Sequence, residues 1–411
     1  MPIFQSMNKK YSNAIGWVKE NSYGIDSLSE CGMDHFEFLE QVLKDKRIVW
    51  LGENGHGIAE HSLLKTKLIN FLYHRMGFKV VAFESGLSEC YSSNYIKDKL
   101  TVNELMSKSI FSLWKTEETL PLFQQIKESD DLRLIGFDFQ PSSKENLLLD
   151  FLESIDINFT LEFKEHINKL DYMLIDWYRN IGKYKATRKK VPKDIYTSFQ
   201  KDKKVLFDLI TQLDIELETW KEEFHRKDLY VPYIVIQKLL DNKRKFIDRL
   251  DAKHGDYLKF RDQIMAENIE WICNKLYPNE KIIIWAHNTH IYKNIQSLYS
   301  YKPMGSLMSP NLTSQSYYLG LFMYEGNAAL NNGSVYELRK PPKKSLEDYM
   351  NHSPSPVSFL DFSCVLPNES NKWIFNKTII MESGTMQQII TPAEQLDGVF
   401  FTKKVSPPRY I

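Results

Sequence analysis

Four short apolar runs constrain the fold of this chain most strongly. Each is rich in β-branched or aromatic residues, lacks polar alternation, and is followed by a helical or irregular stretch. This pattern is typical of strands that are buried on both faces of a parallel sheet and joined by crossover helices. The sequence therefore predicts an α/β fold with a mostly parallel central sheet and flanking helices. The four runs are Arg47–Leu51, Lys79–Phe83, Leu132–Phe137 and Lys281–Ala286.

A side chain capable of acid–base chemistry follows every one of these runs. Glu53 comes after the first run and one glycine, and the other three runs lead directly to Glu84, Asp138 and His287. Ligands of α/β proteins bind beyond the carboxyl ends of the parallel strands. We therefore expect these side chains to meet at one edge of the sheet and to form a functional site there. For Asp138 we expect a supporting or loop-capping role.

The first run ends in the segment Gly-Glu-Asn-Gly-His-Gly, which contains Glu53 and His56. Its glycines allow a sharp turn and a close approach of the backbone to a ligand. His56 precedes the start of a helix, where the positive end of the helix dipole favours the neutral imidazole. His56 is therefore a candidate proton acceptor. The alternative is a helix-capping loop with a histidine that is merely exposed.

The fourth run leads to His287-Asn288-Thr289-His290, two imidazoles three residues apart. One could serve as a general acid or base and the other as an orienting or oxyanion-binding donor. The alternative for either ring is a core histidine that hydrogen-bonds to the backbone. Glu84, directly after a buried run, is either a desolvated functional carboxylate or the partner of a structural cation.

Charge and cysteine content limit the partners of this protein. Lys and Arg number 53 and Asp and Glu number 53, so the net charge is zero and favours neither nucleic acid nor a membrane surface as a partner. The four cysteines show no paired spacing, which predicts reduced thiols. The sequence has neither an apolar leader nor a stretch long enough to span a membrane, so we expect a cytoplasmic protein. The predicted partner is a small-molecule substrate, and the oligomeric state stays open.

Familiar catalytic motifs are missing from the sequence. It has no G-x-S-x-G elbow, no P-loop, no G-x-G-x-x-G fingerprint and no H-E-x-x-H helix. Serine hydrolases, P-loop kinases and Rossmann oxidoreductases are therefore disfavoured.

We divide the chain into three segments. Residues 1–150 form the N-terminal part of the α/β core with its catalytic loops, 151–255 a mainly helical cap or insert, and 256–411 the C-terminal part of the core. The amphipathic stretch Asp194–Asp251 predicts a helical hairpin that caps the cleft, with Tyr230 and Tyr233 at its entrance. Arg261 is either a clamp on a substrate oxygen or one member of an ion pair.

The later part of the chain is predicted to return to strands and to one surface segment. Lys340–Ser353 is expected to be a surface loop with a short helix. The predicted strands are Tyr317–Tyr324, Trp373–Met381 and Gly398–Lys403.

An ordered set of motifs resembles the erythromycin esterase family. The set is GENGHG followed by E-x4-K, then GFKVVAFE, RDQIMAEN and IIIWAHNTH. The resemblance implies an α/β core with a helical cap over a deep cleft, and hydrolysis of a macrolide lactone by an activated water. It matches His56 to the general base with Glu53 beside it, Glu84 to the acidic residue, and His287 and His290 to the family's imidazoles.

One position departs from the family pattern. Macrolide-hydrolysing members carry an arginine where this sequence has Lys65. A lysine offers a point charge in place of a planar fork of donors. Catalysis is still expected, whereas specificity for macrolides stays open.

The predicted function is hydrolysis of an ester or lactone of a bulky small molecule, such as erythromycin, by a histidine-activated water without a covalent intermediate or cofactor. His290 is expected to protonate the leaving alkoxide. One alternative is a divalent metal held by the same side chains, and another is a binding or biosynthetic protein for a polyketide, peptide or polysaccharide precursor. The predicted catalytic residues are Glu53, His56, Glu84, His287 and His290, and the predicted substrate ligands are Lys65, Arg261, Tyr230 and Tyr233.

Overall fold

The structure is a computed structural model that describes residues 2–143, 147–155, 157–158, 161–186, 189–294 and 302–411. The chain divides into two compact units. Unit 1 comprises Met1–Glu84, Ser112–Arg133 and Asn279–Ile411, and unit 2 comprises Ser85–Phe111 and Leu134–Pro278. The boundaries that we placed at residues 151 and 255 both lie inside unit 2.

The strands include all four of the predicted runs. β3 extends beyond its predicted end, so Glu84 lies within the strand. The strands are β1 (Tyr23–Ile25), β2 (Ile48–Leu51), β3 (Phe78–Gly86), β4 (Arg133–Asp138), β5 (Lys281–Trp285), β6 (Ser316–Ala329), β7 (Val335–Glu337), β8 (Val357–Asp361), β9 (Thr378–Glu382), β10 (Met386–Ile390) and β11 (Gly398–Val405).

Helices fill most of the remaining described chain. They are α1 (Pro2–Asn21), α2 (Phe38–Leu43), α3 (Ala59–Met76), α4 (Leu87–Tyr95), α5 (Val102–Ser109), α6 (Leu120–Glu128), α7 (Leu147–Ser154), α8 (Leu161–Ala186), α9 (Lys193–Thr219), α10 (Lys221–Arg226), α11 (Tyr230–Arg249), α12 (His254–Trp271), α13 (Asn288–Ile291), α14 (Pro310–Ser314), α15 (Leu346–Met350), α16 (Lys372–Phe375) and α17 (Pro392–Gln395). Short 3-10 turns lie at Met33–Phe36, Lys97–Lys99, Ser112–Trp114 and Met304–Leu307, and a π-turn lies at Ile272–Leu276.

The central sheet of unit 1 has the order β1-β8-β11-β6-β2-β5-β3. Neighbours from β11 to β3 are parallel, whereas β8 is antiparallel to both β1 and β11. β7 pairs antiparallel with β6, and β9 and β10 form a separate antiparallel pair. The predicted mostly parallel α/β fold is confirmed. All four residues of β2 are fully buried, as expected of a strand covered on both faces.

The β2–α3 connection depends on two glycines. A Cβ atom on Gly52 would collide with the side-chain oxygen of Asn288, and one on Gly57 would collide with the carbonyl oxygen of Ala329. Both positions therefore require a residue without a side chain. α3 ends at Met76, and its C-cap Gly77 takes the left-handed conformation with φ 73°.

Unit 2 is largely helical in the part that the structure describes. The predicted hairpin over 194–251 is present as α9, α10 and α11, and α9 packs against α11. Apolar side chains on one face of each helix are buried, which is the pattern from which the hairpin was predicted. Within the described residues no helix is both long enough and apolar enough to cross a bilayer.

Two predicted elements differ from the structure. The run Trp373–Met381 is not one strand, because its first part is the short helix α16 and only its second part is β9. The polar pair Asn376-Lys377 separates α16 from β9. Trp373 and Ile374 are buried side chains of α16. The segment Lys340–Ser353 is not confined to the surface, because every residue of α15 is buried. Its Glu347 accepts a hydrogen bond from the backbone of Met381, which compensates in part for burying the carboxyl group.

Candidate active site

Three adjacent parallel strands of unit 1 end at the same level. Leu51 of β2 and Phe83 of β3 are both in register with Trp285 of β5. The residues that follow are therefore delivered to one edge of the sheet. The structure brings all five predicted catalytic side chains together there: Glu53, His56, Glu84, His287 and His290.

Glu53 is the hub of this cluster. Its carboxylate is fully buried and accepts three hydrogen bonds. Oε1 accepts from Nδ1 of His56 at 2.7 Å and from the indole nitrogen of Trp114 at 2.8 Å. Oε2 accepts from Nζ of Lys65 at 2.7 Å. Three fixed donors hold the carboxylate in one orientation.

Lys65 is a fully buried cation on α3. Besides Glu53, its Nζ donates to the carbonyl oxygen of Ala286 at 3.2 Å and lies 4.5 Å from the ring centroid of Trp285. Burial lowers the pKa of Lys65 to about 8, although Glu53 opposes the shift. Burial alone would raise the pKa of Glu53, but Lys65 and His56 outweigh it and lower this pKa to about 2. Glu53 is therefore ionised at neutral pH.

His56 has the geometry of a general base. Its Nδ1 faces the ionised Glu53, so Nδ1 carries the proton of the neutral ring and Nε2 is the acceptor. The side chain is 19% exposed, so water can reach it. The ring packs against the edge of Trp114, with centroids 5.0 Å apart, and lies 4.9 Å from the ring of His287.

Glu84 orients the other end of the cluster. The side chain is 2% exposed. Its Oε2 accepts the backbone N–H of His287 at 2.9 Å, and its Oε1 lies 3.3 Å from Nε2 of His290. The structure pairs Glu53 with His56 and Glu84 with His290.

His287 is held in one neutral tautomer. Its Nδ1 accepts the backbone N–H of Thr289 at 3.2 Å, so the ring proton is on Nε2. Burial, with a further contribution from His56, lowers the pKa of His287 well below its usual value. Nε2 lies 3.5 Å from Oε1 of Glu382.

Trp114 and Glu382 are members of the cluster that sequence reasoning missed. Glu382 follows the apolar residues of β9 directly, the same pattern that identified the other acidic strand ends. The sequence therefore contains the signal that identifies Glu382. Trp114 lies in a 3-10 turn far along the chain from Glu53, and no sequence pattern connects the two.

The remaining predicted residues belong to unit 2 and have partners there. Both Nε and Nη2 of Arg261 contact Oδ2 of buried Asp138, at 2.9 and 2.7 Å. Asp138 also accepts the backbone N–H of Gln140, the loop-capping role expected for it. Tyr233 is 4% exposed and donates to Glu218, whereas Tyr230 is 53% exposed. Contact of Arg261, Tyr230 and Tyr233 with a substrate stays a prediction.

One carboxylate oxygen of the cluster already has a cationic partner. The ammonium group of Lys65 occupies Oε2 of Glu53, where a metal-binding site would place a cation. Among the residues that the structure describes, three histidine or acidic side chains with ligand atoms within 4.8 Å of one another occur at Glu162, His166 and Glu216. That group lies in unit 2 and includes none of the five cluster residues.

A buried histidine beside the cluster predicts acid sensitivity. Burial lowers the pKa of His61, which is 1% exposed, from 6.5 to about 4. The pKa of His61 is lower in the folded protein than in the unfolded chain. The contribution of His61 to the unfolding free energy is therefore complete above pH 6.5 and is lost as the pH falls towards 4. The expected loss of unfolding free energy from this group is about 3 kcal/mol. Glu53 adds a further loss as the pH falls from 4.5 towards 2.

Urea unfolding between pH 7.5 and 4 measures this effect. The variant His61→Leu cannot titrate and should show a flatter dependence on pH, whatever its stability at pH 7.5. An unchanged slope in His61→Leu would mean that His61 is not the titrating group.

Comparisons with known proteins place the chain among related sequences and folds. A family model described as erythromycin esterase matches residues 73–405. The protein YbfO of Bacillus subtilis (strain 168) is 28% identical over 407 residues, covering 95% of this chain and 91% of YbfO. Erythromycin esterase type II of Escherichia coli is 24% identical over 379 residues, covering 84% and 88%. The crystal structure of a mutant of the erythromycin esterase EreC, in an open conformation, superposes with a TM-score of 0.67 at 18% identity, covering 94% and 98%.

Proposed function

This chain is a hydrolase of the erythromycin esterase family, and from that premise we propose that it cleaves an ester or lactone bond of a bulky small molecule. We propose that the substrate is a macrolide such as erythromycin. Water attacks the carbonyl carbon directly, without a covalent intermediate. The observation that carries the proposal is the 2.7 Å contact between the ionised Glu53 and Nδ1 of His56.

This contact prepares His56 to take a proton from water. As Nε2 accepts the proton, the ring becomes an imidazolium whose Nδ1–H points at a carboxylate. Trp114 and Lys65 hold the carboxylate still, so little reorganisation is needed when the charge forms.

His287 on the other side stabilises the developing oxyanion. Its Nε2 carries the ring proton and can donate a hydrogen bond. Glu84 holds the ring of His290 in place, and Lys65 adds a positive potential. Metal-free catalysis is proposed because Lys65 already provides the cation that Glu53 binds. Metal analysis of the purified protein, with activity before and after chelation, tests this point.

Incubation with a panel of macrolides, simpler lactones and alkyl esters tests the proposed function. We expect at least one compound to gain the mass of one water, detected by mass spectrometry. In water enriched in heavy oxygen, the label should appear in the carboxylic acid product of a single turnover, because the attacking oxygen comes from solvent. A protein mass raised by the acyl group during a single turnover would instead indicate a covalent acyl-enzyme. Binding of a panel member without turnover would favour the binding or biosynthetic alternative.

A further inference from the structure

Asn288 connects three strands at the sheet edge where the candidate active site lies. Its backbone N–H donates to the carbonyl oxygen of Glu53 at 2.9 Å, in the loop after β2. Its side chain is fully buried and pairs twice with Leu321 of β6. Nδ2 donates to the carbonyl oxygen of Leu321 at 2.9 Å, and Oδ1 accepts the backbone N–H of Leu321 at 3.3 Å. A residue that follows β5 is therefore bonded to the segments of two other strands.

The side-chain amide of Asn288 completes the ladder of β6 where β2 leaves the sheet. The parallel register of the two strands ends at Leu51 and Leu319, and the N–H of Gly52 donates to the carbonyl oxygen of Leu319 at 2.8 Å. In a regular parallel ladder the N–H and carbonyl groups of Leu321 would pair next with the continuing backbone of β2. They pair with Asn288 instead, because a side-chain amide offers the same donor and acceptor as a peptide group. β2 can therefore turn away at Gly52 while β6 keeps both hydrogen bonds.

The turn that carries Glu53 and His56 into the site begins against this amide. A Cβ atom on Gly52 would lie 2.0 Å from Oδ1 of Asn288, so the backbone of Gly52 packs directly on the amide oxygen. The next residue, Glu53, is bonded through its carbonyl oxygen to the N–H of Asn288. These two contacts with one residue set the direction in which the loop leaves the strand.

Asn288 also sets the position of His287, which directly precedes it in the chain. The ring centroids of His287 and His56 lie 4.9 Å apart. In the proposed reaction His56 takes a proton from the attacking water while the Nε2–H of His287 binds the oxyanion, so both rings act on one carbonyl group. Misplacing such groups by about 1 Å can lower the rate on the order of 10²-fold.

We propose that Asn288 is a positioning residue that holds His56 and His287 at the separation that attack by water requires, an inference that rests on the function proposed above. The side chain is fully buried, so it acts on the reaction only through the backbone that it binds. Without the amide, Leu321 loses two hydrogen bonds and the loops of the two histidines are no longer tied to the same strand. Catalysis should then suffer more than substrate binding.

The test compares Asn288→Ala with Asn371→Ala, which removes a matched amide. Asn371 is also fully buried, its Oδ1 accepts the backbone N–H of Asn368 at 2.7 Å, and its Nδ2 donates to the carbonyl oxygen of Leu366 at 2.9 Å. Both variants should unfold at a lower urea concentration than the wild-type protein, because each loses two hydrogen bonds of a buried amide. Only Asn288→Ala should lower kcat, by about 10²-fold, whereas KM of both variants should stay within about threefold of the wild-type value.

A second comparison separates positioning from a general loss of structure. In a protein that already carries His56→Asn, the separation of the two rings no longer matters for base catalysis. Adding Asn288→Ala to that protein should therefore lower kcat by less than about threefold, whereas the same change in the wild-type protein lowers it about 10²-fold. All four proteins are measured with a nitrophenyl ester of the best acyl group of the panel, because its good leaving group keeps the residual rates detectable.

The outcomes distinguish this proposal from the function on which it rests. If Asn288→Ala does not fold, Asn288→Ser and Asn371→Ser replace the pair with the same expectations, because a serine hydroxyl is too short to span both groups of Leu321. Folded Asn288→Ala protein with more than about a third of wild-type kcat, or an equal fall in the wild-type and His56→Asn backgrounds, would overturn the proposal. A wild-type protein that hydrolyses no compound of the panel would overturn the proposed function, and the positioning role with it.

Discussion

The variant His56→Asn is expected to lose hydrolysis by a factor of at least about 10²–10⁴, the usual contribution of a positioned general base. Asparagine can still donate a hydrogen bond to Glu53, but it has no nitrogen that can take a proton from water. The fold should persist, because the side chain is partly exposed and its removal leaves Glu53 with two other donors. The measurement is kcat for the best substrate of the panel, with substrate binding measured separately by calorimetry.

His74→Asn is the matched control for this variant. His74 is exposed in the last turn of α3, the helix that follows His56, and the same substitution there should leave kcat unchanged. Folded His56→Asn protein with more than about a tenth of wild-type kcat would remove His56 from the mechanism. His287 would then be the next candidate base.

The variant Lys65→Met is expected to lower the unfolding free energy at pH 7 by about 3–5 kcal/mol, the usual effect of removing one partner of a buried ion pair. Methionine has similar length and can keep the contact with Trp285. The loss comes from Glu53, whose fully buried carboxylate would lack its cation. Denaturant unfolding at pH 7 measures the change.

A double variant shows whether the charge of Glu53 causes the loss. Glu53→Gln combined with Lys65→Met removes both charges and should recover most of the stability, because a buried pair is seldom better than neutral groups of similar size. Lys44→Met, at an exposed lysine, should change the unfolding free energy by less than about 0.5 kcal/mol. If Lys65→Met has the same unfolding free energy as the wild-type protein, the ion pair contributes nothing to stability.

The sequence predicted the site well where chain-local signals exist. Mainly apolar runs of five or six residues identify strands buried on both faces, and parallel strands carry their carboxyl ends to one edge. Those two facts suffice to place Glu53, Glu84 and His287 at the same edge before any coordinates are known. His56 and His290 can then be placed at the same edge, because His56 lies three residues after Glu53 and His290 three residues after His287.

The partners of these side chains could not be predicted in the same way. Trp114 reaches Glu53 from a turn 61 residues later, and Asn54 contacts the backbone around Glu382 from 327 and 329 residues away. Such contacts depend on how loops pack over the sheet edge, and no periodicity in the chain records them. The same is true of the buried position of α15, whose charged residues suggested a surface helix.

The sequence alone determined the α/β architecture, the strand ends and the types of side chain at the sheet edge, because hydrophobic periodicity and chain direction are local properties. The tertiary structure decided which carboxylate supports which imidazole, that Lys65 neutralises Glu53, and that Glu382 faces His287. It also decided their charge states, since burial lowers the pKa of His287 and raises that of Glu382. Desolvation and pairing depend on every atom packed around a group, and those atoms come from segments far apart in the chain.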